Sequence, residues 1–158
     1  MRRELFGVLL FLSAITLGGV LPAQTVLTIY KGNGDVARAL SISDMQHLPQ
    51  TEVVTSNEFV DGEKSFRGPL ARDLLYECGS DLPDRVTLTA ANDYQNSVPT
   101  SEFFQYDVIF ALTMDGEYLS SRDKGPIWVI YPMSQHAELR DPVYNSHLVW
   151  QLIKVDCK

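Results

Sequence analysis

The chain has little positive charge. Its 158 residues include 13 Lys and Arg against 20 Asp and Glu, which gives a formal net charge of −7 at pH 7. Binding to a nucleic-acid backbone needs clustered Lys and Arg, and no such cluster occurs, so nucleic acid is not expected as a partner. The sequence is 45% hydrophobic and 21% charged. This composition excludes a disordered, collagen-like or disulfide-dense chain and fits one globular domain.

Several motifs with well-understood chemistry are also missing. No serine stands in a G-x-S-x-G motif. The three histidines, His47, His136 and His147, lack the spacing of metal-binding motifs such as H-E-x-x-H. No glycine-rich phosphate loop is present. These absences give no support to a serine hydrolase or a zinc hydrolase.

Only one long apolar run occurs, at the start of the chain. Met1-Arg2-Arg3 is basic, residues 5–20 are almost wholly apolar, and Ala23 is a small residue before Gln24. This pattern predicts a secretory signal peptide over residues 1–23, cleaved near Ala23, and an exported domain over residues 24–158. The alternative is a retained membrane anchor, but the run is short for a spanning helix, which needs about 20 residues.

Cysteine is scarce. Cys78 and Cys157 are the only two cysteines in the sequence. An even count in an exported chain allows a disulfide between them, and two unpaired thiols are the equally weighted alternative. Two widely spaced thiols without neighbouring histidines do not predict a zinc site.

Short segments with β-branched or alternating residues predict a sheet-rich domain. Strands are expected over residues 25–30, 37–42, 51–55, 65–67, 86–91, 108–114, 118–119, 127–131 and 147–155. Ser43 is expected to cap a short helix that ends before Pro49, and a second helix is expected from Pro69 to Gly79. Asp115-Gly116 predicts a hairpin turn. The result is an α+β or mainly-β domain, with its longest irregular segment over residues 133–146.

Two segments concentrate residues that are able to bind a ligand. Residues 90–94 (AANDY) follow a predicted strand, where Asn and Asp favour a turn with outward-facing N–H groups. Residues 121–132 combine two cations, Arg122 and Lys124, with two aromatic residues, Trp128 and Tyr131. Such a set suits a planar anionic ligand, because the rings stack on it and the cations meet its charge. The alternatives are a plain turn, and a hairpin with a solvated tip and core aromatics.

An ordered set of motifs resembles a known family, the small exported single-domain members of the oxidoreductase molybdopterin-binding domain family. The resemblance runs from about residue 27 to 155. Its motifs are Phe66-Arg67-Gly68-Pro69-Leu70 with Arg72-Asp73-Leu74-Leu75, Ala91-Asn92-Asp93-Tyr94 with Val98-Pro99, Met114-Asp115-Gly116, Arg122-Asp123-Lys124-Gly125-Pro126 with Trp128 and Tyr131-Pro132, and Val149-Trp150-Gln151-Leu152.

This resemblance implies a mixed, mainly-β fold like that of the sulfite oxidase catalytic domain, with a few short helices and a pterin-sized cleft. In the sulfite oxidase type, a cysteine thiolate binds molybdenum nine residues before the proline that corresponds to Pro99. That position here is Ala90, which has no ligand atom, so molybdenum is not expected. Trp128 and Val149 stand where that type tends to carry Arg and Lys, which implies a ligand with little or no phosphate.

The resemblance further implies a non-catalytic, periplasmic pterin-binding protein. Such a protein would signal to a membrane-bound partner, for example an enzyme of cyclic-di-GMP metabolism or a sensor kinase. The expected pterin-binding residues are Asn92 and Asp93 at the pyrimidine edge, Trp128 and Tyr131 against the ring, Arg122 and Lys124 at a side-chain anion, and Tyr94 and His147 as further contacts. The alternative for Tyr94, Trp128 and Trp150 is a place in the core. The alternatives are a molybdopterin-dependent oxidoreductase with an atypical metal site, and a scaffold without a ligand.

Overall fold

The computed structural model describes residues 23–158. The predicted signal peptide therefore lies almost wholly outside the described residues. Within them, no helix is long and apolar enough to cross a membrane. The architecture is mainly β, with short helices, as the sequence predicted.

A five-stranded sheet forms the larger layer, in the order β2-β1-β11-β5-β6. Its strands are β1 (Thr25–Tyr30), β2 (Val36–Ser41), β5 (Arg85–Ala90), β6 (Gln95–Pro99) and β11 (Leu152–Asp156). The first and last strands of the chain pair in parallel, so β11 is central in the sheet rather than at its edge. The alternation of apolar residues in β1 shows which face of the strand packs on the core, because Leu27 and Ile29 are fully buried while their neighbours are not.

A smaller sheet has the order β3-β4-β8-β9, and a separate pair consists of β7 and β10. These strands are β3 (Thr51–Thr55), β4 (Lys64–Gly68), β7 (Ile109–Ala111), β8 (Thr113–Met114), β9 (Glu117–Tyr118) and β10 (Trp128–Ile130). The single strand predicted over residues 108–114 is wrong, because the chain passes from β7 to β8 at Leu112. Asp115 and Gly116 form the predicted turn, both with positive φ.

Within residues 23–158, three short α-helices and three 3₁₀ helices complete the fold. They are α1 (Ile42–His47), α2 (Ala71–Leu75) and α3 (Thr100–Gln105), with 3₁₀ helices at Tyr76–Cys78, Ala137–Arg140 and Pro142–His147. The predicted cap of α1 is wrong by two residues, since Ser41 rather than Ser43 forms a capping box with Asp44. Gly79 ends the second helical segment as predicted, with φ of 114°.

Two stretches differ from the sequence-based expectation in a way that matters for the site. The segment over residues 133–146 is not irregular, because it contains two of the 3₁₀ helices. The strand predicted over residues 147–155 is wrong in its first half. His147 ends a 3₁₀ helix, Gln151 has a positive φ of 51°, and the strand begins only at Leu152.

The core has two parts. The larger packs the five-stranded sheet against all three α-helices and includes Met45, Leu74 and Phe103. The smaller joins the four-stranded sheet to β7 and β10, and it contains Val53, Phe66, Ile109, Ala111, Trp128 and Ile130. A disulfide joins Cys78 to Cys157 and so ties the end of a 3₁₀ helix to the residue after β11.

Candidate functional site

The candidate site is a cavity of about 470 Å³ where β5 ends. This volume lies in the range of small-molecule sites, which is about 300–1,000 Å³. Three stretches of chain line the cavity: the loop after β3, the turn after β5, and the segment before β11. The lining residues are Glu58, Phe59, Ala90, Asn92, Tyr94, Pro142, Asn145, Ser146, Leu148, Val149 and Trp150.

The turn after β5 forms one side of the cavity. The backbone N–H of Ala90 donates to the Tyr94 carbonyl over 2.9 Å, and Asp93 N–H donates back to the Ala90 carbonyl over 3.0 Å. The Asn92 side chain accepts from Tyr94 N–H, and Asp93 has a φ of 66°. Asn92 and Tyr94 line the cavity, whereas Asp93 is an exposed turn residue outside the lining.

The opposite wall is the 3₁₀ helix Pro142–His147. Its N-cap, Asp141, accepts a hydrogen bond from Val143 N–H over 3.0 Å. Asn96 on β6 donates to both the carbonyl and the hydroxyl oxygen of Ser146, and the Tyr94 hydroxyl donates to the same carbonyl. These hydrogen bonds hold the β5–β6 hairpin against this 3₁₀ helix and use most of the hydrogen-bonding atoms of Ser146.

The third side combines an aromatic pair with a carboxylate. Phe59 and Trp150 pack edge to face, with ring centroids 4.9 Å apart. Next to Phe59, the Glu58 carboxylate accepts a hydrogen bond of 2.5 Å from the Asn145 side-chain amide. These two contacts hold the loop after β3 against the segment before β11, and they close the cavity.

The two aromatic residues predicted to stack on a ligand lie elsewhere. Trp128 and Tyr131 are both 0% exposed. Trp128 packs edge to face on Phe66 at 5.4 Å and donates its ring N–H to the Leu148 carbonyl over 3.1 Å. Neither ring faces the cavity, because Trp128 on β10 and Tyr131 just after it pack in the core.

The two predicted cations also lie outside the cavity lining. Arg122 is exposed on the loop before β10, and the Lys124 ammonium lies 5.5 Å from the centroid of the Trp128 ring. Gln151 connects this loop to the site. Its N–H bonds to the Lys124 carbonyl over 2.9 Å, and its own carbonyl accepts from Ala91 N–H over 2.9 Å. The loop before β10 therefore contacts the turn after β5 through Gln151 and does not line the cavity.

His147 faces away from the cavity. Its side chain is 8% exposed and lies 3.0 Å from a carboxylate oxygen of Glu102, which is itself 12% exposed. The Tyr131 hydroxyl donates to the same oxygen over 2.8 Å. Burial, together with the Glu102 charge, raises the pKa of Tyr131 well above its ordinary value. His147 therefore lies outside the cavity lining, where it joins the 3₁₀ helix Pro142–His147 to α3.

Charges are few in the cavity. Among the described lining residues, Glu58 is the one side chain that is charged at neutral pH, and none is Lys, Arg or His. No group of three His, Cys, Asp or Glu side chains within residues 23–158 has the arrangement of a metal site. The lining suits an uncharged ring with hydrogen-bonding edges, held between apolar surfaces.

Among the eleven described lining residues, the sequence analysis assigned a ligand contact only to Asn92 and Tyr94. Glu58, Phe59, Asn145 and Ser146 belong to segments that read as plain loops. Trp150 belonged to a recognised motif but was expected in the core, whereas the structure leaves it half-buried at the cavity. The one signal for the wall was the length of the segment over residues 133–146.

Comparisons with known proteins agree with this fold. A family model described as the oxidoreductase molybdopterin binding domain matches residues 20–137. The crystal structure of the sulfane dehydrogenase SoxCD from Paracoccus pantotrophus is similar, with a TM-score of 0.59 and 14% identity. The match covers 82% of this chain and 37% of that chain, and at this identity it shows the fold alone. No curated protein sequence matches.

Proposed function

Because this chain belongs to the oxidoreductase molybdopterin-binding domain family, we propose that it binds a pterin in the cavity beside Ala90 without catalysing a reaction. The observation that carries the proposal is the cavity itself, which has the volume of a small-molecule site and aromatic residues in its lining but lacks a thiolate.

The cavity lining supplies no thiolate that could bind molybdenum. The family resemblance puts the metal-binding cysteine at Ala90, which lines the cavity with a methyl group. Both cysteines of the chain are bonded to each other, and neither lines the cavity. A methyl group does not replace a soft thiolate ligand. The residues present therefore do not fit a thiolate-bound molybdenum centre.

The lining also favours a ligand without phosphate. Phosphate is held in proteins by Arg, Lys or backbone N–H groups at helix N-termini. The described lining holds no cation and one carboxylate, which repels an anionic ligand. Phe59 and Trp150, which are half-buried, offer apolar surface to a flat ring. A free pterin therefore fits this cavity better than a phosphorylated cofactor.

We place this function in the periplasm, as the N-terminal sequence pattern indicates, with a membrane-bound signalling protein as partner. Val143 and Tyr94 carry exposed apolar surface near the cavity, with 56% and 46% exposure. A photo-crosslinking residue at position 143 in living cells tests this partner. We expect a pterin-dependent adduct with a membrane protein that carries a cyclic-di-GMP enzyme or histidine kinase domain. Adducts that do not change with pterin would contradict the signalling role.

The ligand is tested on protein purified from the periplasm of its host. The protein is denatured, the released small molecules are identified by fluorescence and mass spectrometry, and molybdenum is measured by elemental analysis. We expect a pterin without metal. Stoichiometric molybdenum would refute the proposal and support an oxidoreductase with an atypical metal site. A preparation that neither carries nor rebinds a pterin would also refute it and favour a scaffold without a ligand.

A further inference from the structure

Glu58 is the distinctive polar group of the cavity. It is the one charged side chain among the described lining residues, and it lies beside the aromatic pair that closes the cavity. A carboxylate accepts hydrogen bonds and donates none at neutral pH. Any ligand edge that meets Glu58 must therefore carry N–H or O–H donors.

Part of this acceptor capacity is free. One carboxylate oxygen, Oε2, accepts the bond from Asn145, whereas Oε1 has no hydrogen-bonding partner among the described residues. The same loop is held in place from behind, because Ser56 N–H donates to the Ser134 hydroxyl over 3.0 Å. The carboxylate is thus presented at the cavity by a fixed loop and retains an open acceptor.

The other polar groups of the lining differ in what they leave open. The Ser146 hydroxyl donates to the Val143 carbonyl, and the Tyr94 hydroxyl donates to the Ser146 carbonyl. Asn92 uses its side-chain oxygen for Tyr94 N–H, while its side-chain NH₂ has no partner among the described residues. The cavity thus offers an open acceptor at Glu58 and an open donor at Asn92, which suits a ring that carries both donors and a carbonyl oxygen.

We infer that Glu58 is the specificity-determining residue of this site and that it recognises the amino-substituted pyrimidine edge of an unphosphorylated pterin. This inference rests on the proposed function. The sequence assigned that contact to Asp93, a carboxylate that the structure leaves outside the lining. Glu58 supplies a carboxylate from a different loop, and its open Oε1 accepts a hydrogen bond from the 2-amino group of the ligand.

The test compares two ligands of nearly equal shape by isothermal titration calorimetry at pH 7. Pterin carries the 2-amino group, and lumazine has an oxygen at that position. We expect the protein, dialysed free of small molecules, to bind pterin at least about 10-fold more tightly than lumazine, as the loss of a bond to a charged group predicts. Glu58→Gln should weaken pterin binding by a similar factor and reduce the difference between the ligands.

A matched control is Glu63→Gln, which removes an exposed carboxylate from the same loop outside the lining. It should bind both ligands as the unaltered chain does, and thermal unfolding of both variants checks that they fold. Equal binding of pterin and lumazine, or a Glu58→Gln variant with unchanged pterin affinity, would overturn the inference while leaving pterin binding intact. A chain that binds neither ligand would refute the proposed function as well.

Discussion

The buried hydrogen bonds of Tyr131 and His147 to Glu102, behind the cavity wall, give the sharpest stability prediction. Glu102 on α3 accepts hydrogen bonds from the Tyr131 hydroxyl and from His147, at 2.8 and 3.0 Å. Since a carboxylate only accepts, His147 must carry its proton on Nδ1. Glu102→Leu removes the acceptor and leaves both donors in the protein interior without a partner.

The expected cost follows from these two donors. A buried polar group without a partner costs about 1–3 kcal/mol, so Glu102→Leu should lower the free energy of unfolding by about 2–6 kcal/mol. Glu102→Gln keeps one acceptor oxygen and nearly the same volume, so we expect it to lose less than half of that amount. Urea denaturation followed by circular dichroism measures both variants.

A control on the same helix is Ser101→Leu, which changes an exposed side chain that takes no part in the network. It should leave the unfolding free energy within about 0.5 kcal/mol of the original value. If Glu102→Leu is no less stable than this control, the contact does not hold the wall to α3. A Glu102→Gln variant as unstable as Glu102→Leu would show that the carboxylate charge matters more than the two bonds.

The remaining predictions concern the disulfide, alkaline pH and the cavity. Replacing Cys78 and Cys157 by Ala should lower the free energy of unfolding by about 4–5 kcal/mol, as the chain-entropy model gives for a separation of 79 residues. The loss is measured as a fall in the urea midpoint, and an unchanged midpoint would refute a bonded pair. Burial, aided by a neighbouring carboxylate, raises the pKa of Tyr106 to about 12. Because the folded pKa exceeds the unfolded value of about 10, its stabilising contribution is complete below pH 10 and is lost as the pH rises toward 12. Urea titrations over that range should show this loss, and Tyr106→Phe should reduce it. Ala90→Phe should fill the cavity and abolish pterin binding in calorimetry, whereas Ala91→Phe, at an exposed position outside the lining, should not.

Local sequence patterns predicted most strands because alternation reports which face of a strand is buried. The pattern of β1 has this form, and Asp115-Gly116 supplied the residues that a tight turn needs. Helix α3 was missed for a local reason. Its N-cap is Pro99, which makes no side-chain capping bond, so the sequence carries no start signal there.

The ordered motifs also predicted the family, and the turn at Ala90 proved to be part of the cavity. These conclusions depend on short stretches of chain, in which residue type and spacing carry the information. The same reasoning failed for Trp128 and Tyr131. A strand rich in aromatic and aliphatic residues reads alike whether its rings face a ligand or the core.

What the sequence determined by itself is therefore local: strands, turns, and the motifs that indicate the family. Only the tertiary structure decided which loops close the cavity. Glu58 and Asn145 lie 87 positions apart and meet through a single hydrogen bond. Their contact depends on how β3 and the last 3₁₀ helix pack on the two sheets, which no local pattern reports. The charge of the cavity follows from that packing, because it brings Glu58 to the lining and leaves Arg122 and Lys124 outside.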